Sequence, residues 1–328
     1  MISYWGMNFF EFFCLFFVRL VSFFPGGLQV DEVQVIALVL ISIMCSLLGV
    51  FLFVRKMAMV ANAISHTVLI GIVLAAIISY FVYSIPIGVM EGSFTPTLLV
   101  GSAMITSLLT MSFIEFLSRR NRMTKDVSIG LVFTFLFAVG VVLATIFTRN
   151  SHIGSEVIMG NVDLISMSDL KAIFNLLLVV LGGIGVFYRP ILISSFDGQF
   201  ATLSGISNRA VDYLIVLLSS LTIIIAMKAV GIILILSLLI VPPLTSRLFC
   251  RSMKGVIIMS SLMSISASLI SVAFSRHLLT TSGYALSTGG LLVTLLALMW
   301  GVAALVAPSK GIFAKWLLLH KIDFSVQE

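Results

Sequence analysis

Charge is scarce in this sequence. Only 10% of its 328 residues are Asp, Glu, Lys or Arg, against about 25% in ordinary soluble domains. With 60% hydrophobic residues and a mean hydropathy of +1.22, a water-soluble fold of this size could not cover its apolar surface. The solvent must be lipid. Cysteine is scarcer still, with three residues. Cys14, Cys45 and Cys250 lie in or at the end of apolar segments, none at metal-ligand spacing, which excludes a disulfide framework. No lysine follows a glycine, so nucleotide phosphates cannot be held in the P-loop manner. HExxH, CxxC and GxSxG are absent and the four histidines, His66, His152, His277 and His320, are scattered. No catalytic residue is assigned and no enzymatic role is expected. The cations fall between apolar runs rather than along one face, so the net charge of +6 does not point to nucleic acid. The N-terminal stretch lacks the cationic start and small-residue cleavage site of a signal peptide and is expected to be retained.

What is present is a series of apolar runs. A hydrocarbon core of about 30 Å needs roughly 20 residues of helix. Nine segments qualify, at 33–54, 61–80, 94–117, 127–148, 171–188, 210–227, 229–246, 255–274 and 284–307. The Phe-rich stretch 8–25 is a tenth candidate, or else an interfacial helix, since it carries Glu11 and Arg19. The fold class is therefore all-α, a polytopic membrane protein of 9–10 transmembrane helices. Alternate gaps, with the C-terminal tail, hold fourteen Lys and Arg, among them Arg55, Lys56, Arg119, Lys125, Arg209 and Arg251. The other gaps hold four: Arg149, Lys171, Lys228 and Arg276. The first set is cytoplasmic.

Two gaps exceed a turn. Residues 149–170 are external and contain Glu156, Asp163 and Asp169. Residues 189–209 are cytoplasmic and polar, and their segment FDGQFATLSG can form a short helix flanked by glycines or remain a solvated connector. Among polar groups within the spans, His66 stands out. Asn62 lies four residues before it, so both share one helix face. An imidazole nitrogen suits Zn²⁺, Mn²⁺ or Fe²⁺, and the Asn carbonyl is a weaker oxygen ligand. The plainer reading is a histidine hydrogen-bonded to a neighbouring helix. Lys228 falls at an external turn, where it can snorkel. Glu115 and Arg119 form an i,i+4 pair. Pro242 and Pro243 are expected to break or kink their span, as a helix end or a gate. The sixteen methionines are dispersed and read as packing.

Five ordered blocks resemble the permease subunits of ATP-binding-cassette importers for manganese, zinc and iron. GVFLFVRKMAMVANAISHTVLIGIVLA (49–75) is similar to a block reading Arg-Arg/Lys-Met-Ala, then Gly-Asp-Ala-x-Ser-His-Ala-Val-Leu-Pro-Gly. RMTKDVSIGLVFTFLFAVGVVL (122–143), MGNVDLISMSDL (159–170), SFDGQFATLSGISNRAVDYL (195–214) and KAVGIILILSLLIVPPLTSRL (228–248) follow in the family's order. The likeness covers about residues 33–307 of what is read as one permease domain, 1–328, with a Phe-rich first helix at 8–25 and a cytoplasmic tail at 308–328.

The resemblance implies a fold like that of the vitamin B12 importer's permease, dimerised around a central path in the bacterial cytoplasmic membrane. It implies a cytoplasmic ABC ATPase, an extracytoplasmic metal-binding protein and a second permease subunit, identical or paralogous. It implies no permanently bound cofactor, the divalent ion being the cargo. The loop 189–209 becomes the ATPase-coupling loop, with Ser195, Phe196, Asp197, Phe200, Ala201 and Gly205 as docking or structural residues. By position, the family's metal-coordinating Asp and His become Asn62 and His66. The histidine is kept, and the carboxylate is replaced by an amide that a paralogous partner would have to make good. Ile70 stands where the family has Pro. An ion-coupled carrier acting without an ATPase is the alternative; it needs carboxylates at the span centres, where the sequence has none. A non-transporting membrane scaffold is the third reading.

Overall fold

The computed structural model describes residues 8–22, 27–83, 96–120, 123–147, 162–284 and 286–307. The tail 308–328, residues 23–25, Arg122, Arg149, His152 and Glu156 lie outside them. Among the described residues the chain is helical, without strands: α1 (Phe9–Val21), α2 (Val30–Val54), α3 (Ala58–Tyr83), α4 (Pro96–Arg120), α5 (Lys125–Phe147), a 3₁₀ turn (Val162–Leu164), α6 (Met167–Phe196), α7 (Gly198–Leu203), α8 (Asn208–Val230), α9 (Ile232–Phe249), α10 (Met253–Ser282) and α11 (Thr288–Val306). Eight of these are long and apolar enough to cross a membrane. With the 26-residue α3 they fall on the nine expected spans. The tenth does not reach that length as described. α1 has 13 residues, about 20 Å of helix against a 30 Å core.

The chain divides into two compact units. The first holds residues 1–50, 162–171 and 237–328. Here α1 packs on α10 and α10 pairs with α11. Small residues recur along α10, where Ser260, Ser264, Ala267, Ser268 and Ser271 are buried, the pattern that lets membrane helices approach closely. Ser42 and Ser46 of α2 pair with Ser268 and Ser261 at 2.5 and 3.1 Å. The external end is fastened by polar side chains. Gln34 Nε2 donates to Asp163 at 2.8 Å, Thr288 Oγ1 donates to the same carboxylate at 2.7 Å, and Arg276 pairs with Asp31. Arg19, which no span reading explained, is buried in an ion pair with the fully buried Glu32 and donates to the Gly27 carbonyl at 2.9 Å. A charge this deep is tolerated because it is paired and hydrogen-bonded.

Gly49 and the two prolines belong together in this unit. A Cβ at Gly49 would lie 2.0 Å from the Leu239 carbonyl oxygen and 3.0 Å from Pro243 Cγ. Position 243 is where the helical donor to that carbonyl belongs, and proline has no N–H. The open carbonyl therefore faces the Gly49 backbone, which only glycine permits at this distance. Of the break or kink that the sequence leads one to expect, Pro242 and Pro243 do not make the break, since α9 runs through both to Phe249. Thr245 and Ser246 hydroxyls donate to the carbonyls of Val241 and Pro243 at 2.8 and 3.0 Å. The carbonyls that lose a donor are instead those of Leu238 and Leu239, and the close backbone of Gly49 covers the second.

The second unit holds residues 51–161 and 172–236. α3 packs on α4, α5 and α8, and α4 packs on α5 and α8. Phe135, Ile146 and Val186 stand more than half exposed on α5 and α6. In water such faces would be aggregation surfaces, and on spanning helices they are faces for lipid or for another subunit. α6 begins at a capping box, with the Ser166 backbone N–H donating to Asp169 at 3.2 Å and the Asp169 N–H to Ser166 Oγ at 3.3 Å. It continues through Pro190 to Phe196, so Ser195 and Phe196 end a helix instead of starting a loop.

Candidate functional site

Two places carry the residues singled out by sequence, both in the second unit. The first is the inner half of α3. Asn62 and His66 lie one turn apart on this helix, both partly buried. The adjacent hydroxyls turn back on their own helix: Ser65 donates to the Asn62 carbonyl at 2.7 Å and Thr67 to the Ile64 carbonyl at 3.1 Å. Thr110 of α4 reaches Thr67 at 3.3 Å. The His66 ring lies against two phenylalanines of α5, with centroids 5.2 Å from Phe133 and 5.6 Å from Phe137. Those two rings stack at 5.9 Å, so the imidazole plane is held by aromatic contacts at ordinary range. Among the described residues no group of three or more His, Cys, Asp or Glu side chains comes together to hold a metal ion. At this place α3 offers one imidazole and one amide.

The second place is the cytoplasmic connection from α6 to α8. α7 has six residues and every terminal group is managed. Asp197 is its N-cap, its carboxylate accepting the N–H groups of Gln199 and Phe200, each at 2.9 Å. At the other end Ile206 N donates to the Ala201 carbonyl at 2.8 Å and Gly205 N to Thr202 at 3.1 Å. That bond pair is a Schellman stop, and Gly205 takes the left-handed position at φ +77°. Ala201 faces inward and is fully buried, whereas Phe200 and Leu203 point outward, 55% and 87% exposed.

The helix is anchored from behind by residues that sequence reasoning left unassigned. Asn208 donates to the Gly198 carbonyl at 2.8 Å and accepts from Ser194. Arg55, just past the end of α2, donates to Ser194 Oγ at 2.9 Å and grips Asp212 of α8 through Nε at 2.8 Å. Lys125 lies 3.6 Å from the other Asp212 oxygen. Arg55 had been read only as a mark of the inner face. Nothing local in the sequence ties it to a carboxylate 157 residues away. The Glu115–Arg119 pair forms as its spacing predicts, at 2.8 Å, and Arg209 joins it at 3.3 Å.

Helices long and apolar enough to cross a membrane, with a histidine held by aromatic rings in one of them and a rigidly anchored short helix beyond another, make this a polytopic membrane protein. The chain matches the ABC 3 transport family over residues 31–307 and belongs to that family. It is 37% identical over 322 residues to a probable metal transport system membrane protein of Chlamydia trachomatis, covering 98% of each chain. It is 30% identical to the manganese transport system membrane protein MntC of Halalkalibacterium halodurans, covering 91% of this chain and 95% of that one. Among solved structures it shares the fold of PsaBC from Streptococcus pneumoniae in complex with Fab, with a TM-score of 0.71 and 24% identity over 94% of this chain and 99% of that one. The protein is thus a multi-pass permease of the metal-type ABC transporters, resident in the bacterial inner membrane.

Proposed function

We propose that this chain lines half of the path of an ATP-driven importer of a divalent first-row metal (manganese, zinc or iron), with the ATPase a separate cytoplasmic subunit that docks on α7. The observation that carries this reading is the build of α7. It is capped at both ends and tied through Asn208 to α6 and α8, yet it leaves Phe200 and Leu203 outward. Apolar side chains held outward on an immobilised helix are what a partner's groove takes up, and rigid anchoring lets a push on α7 reach the spans. An extracytoplasmic metal-binding protein delivers the ion, and a second permease, identical or paralogous, completes both the path and the ligand set begun by His66 and Asn62. Four carboxylates in or beside the spans are held in ion pairs, Glu32 by Arg19, Asp31 by Arg276, Asp212 by Arg55 and Glu115 by Arg119. That distribution disfavours an ion-coupled carrier.

The test replaces Asp197 with Ala, which removes two cap hydrogen bonds and costs α7 about 1 kcal/mol, alongside Phe200→Ala on its outer face. In proteoliposomes of the whole complex, both should lower metal transported per ATP hydrolysed, Phe200→Ala also weakening ATPase binding. Full coupling and full binding in both variants would remove α7 from the docking site.

A further inference from the structure

The inner ends of α3, α4, α5 and α8 enclose a cavity of about 360 Å³, within the roughly 300–1,000 Å³ range of small-molecule sites. Its walls are of two kinds. Met57, Val60, Met111, Ile114 and Ile129 make an apolar floor. Lys56, Arg119, Lys125 and Arg209 stand around it, against two carboxylates, Glu115 and Asp212. Both carboxylates are committed. Glu115 is held by Arg119 and Arg209, and Asp212 by Arg55 and Lys125. Lys56 faces no carboxylate among the described residues. The backbone adds to the imbalance, since α3, α5 and α8 all begin at this cavity and helix N-termini carry partial positive charge.

Lys56 is also the one described non-glycine residue with positive φ, at +57°. Lys56 N donates to the Phe53 carbonyl at 3.1 Å and Met57 N to Leu52 at 2.7 Å, the same Schellman stop that ends α7. There the left-handed position is glycine; here it is a lysine, which pays a steric cost that glycine would not. The strained position puts an ammonium at a cavity already rich in cations.

We propose that this cavity binds the phosphate of an anionic phospholipid from the inner leaflet, with Lys56 as its principal cation, Arg209 turning to it from a Glu115 that Arg119 also holds, and the methionine–isoleucine floor against the glycerol and upper acyl chain. Basic pockets between helices on the cytoplasmic side suit such headgroups. The mixed wall favours an amphiphile over a purely charged ligand. Three helix N-termini and unmatched cations favour an anion over the metal cargo.

The experiment is native mass spectrometry of the full chain released from phosphatidylcholine nanodiscs doped with phosphatidylglycerol. The wild type should retain phosphatidylglycerol in preference to phosphatidylcholine. Lys56→Gly with Arg209→Gln should cut that preference about tenfold or more, whereas Lys56→Arg keeps it. Glycine fits the left-handed backbone and Glu115 keeps Arg119, so the double variant should melt no lower than wild type. Millimolar inorganic phosphate separates the sources of the anion. Displacement of the lipid shows that the phosphate charge alone holds it, and resistance shows that the apolar floor contributes; both support the site. Equal retention of the two lipids, or of phosphatidylglycerol by wild type and double variant, overturns it. So does cross-linking of a Lys56→Cys chain to an acidic segment of a cytoplasmic partner with no lipid retained, which would make the cavity a protein-docking surface.

Discussion

His66 is held in place more firmly than a lone polar side chain needs to be. Its ring packs against both Phe133 and Phe137, while Asn62 stands one turn nearer the start of α3. Packing of this kind fixes the ring plane and leaves the nitrogens as the groups with something to do. If His66 is a transient ligand, His66→Ala should lower metal uptake by the assembled complex on the order of tenfold or more, with ATPase binding unchanged. Asn62→Asp adds the anionic oxygen that hard divalent ions prefer and should hold or raise the affinity. Radiolabelled metal uptake and equilibrium binding check both. Unchanged uptake in His66→Ala, or a clear fall in affinity in Asn62→Asp, would mean that the pair serves another purpose. At this scale the shared face of Asn62 and His66 was legible from their spacing alone. The phenylalanine shelf was not, because it comes from α5 and no periodicity within α3 points to it. Arg55 and Asp212 were opaque for the same reason: a charge count places a cation on the inner face but cannot choose its partner.

Among helices, the legible part was the apolar run and the obscure part was where it stops. α6 extends eight residues past the expected span end at 188, through Pro190, since a helix emerging into water needs no apolar residues to continue. α7 was legible in part: FDGQFATLSG reads as a glycine-flanked helix or a solvated connector, and the structure has the helix, started by Asp197 and stopped by Gly205. The proline pair cannot be fully read without its neighbour. In isolation Pro242 and Pro243 remove two donors and argue for a break. Against α2 they leave a carbonyl free at the point where Gly49 brings its backbone closest. Gly49→Ala should therefore be severely destabilising. A Cβ 2.0 Å from a backbone oxygen cannot be relieved by a rotamer change, and overpacking of this kind costs about 1–3 kcal/mol or more. Gly101→Ala, where a new Cβ meets nothing within 4 Å, is the matched control and should be neutral or slightly stabilising, by about 0.4–1 kcal/mol. Thermal unfolding in detergent, followed by monodispersity, compares the two. Equal melting temperatures would show that α2 and α9 can separate at no cost.

For the molecule as a whole, composition left no doubt about the solvent, and the sided cations gave the orientation, because insertion reads Lys and Arg rather than fold. The structure adds a prediction that composition could not make, since it separates residues exposed to water from residues exposed to lipid. Leu203 on α7, Tyr284 between α10 and α11, and Phe135 within α5 are 87%, 70% and 61% exposed. By accessibility alone the three are alike. By position Leu203 lies on the cytoplasmic side, Tyr284 on the external side, and Phe135 about 15 Å along a helix from its inner end. In a chain whose three native cysteines are replaced, a cysteine at each position should respond differently to a membrane-impermeant maleimide. The thiolate is the reacting species and forms only where water reaches it. Tyr284→Cys should label in intact cells, Leu203→Cys only in inverted vesicles, and Phe135→Cys in neither until detergent is added. Labelling of Leu203→Cys from outside would invert the topology and take α7 away from any cytoplasmic partner. Ready labelling of Phe135→Cys in the membrane would instead place that face of α5 on an aqueous path, and the ion's route would have to be redrawn around it.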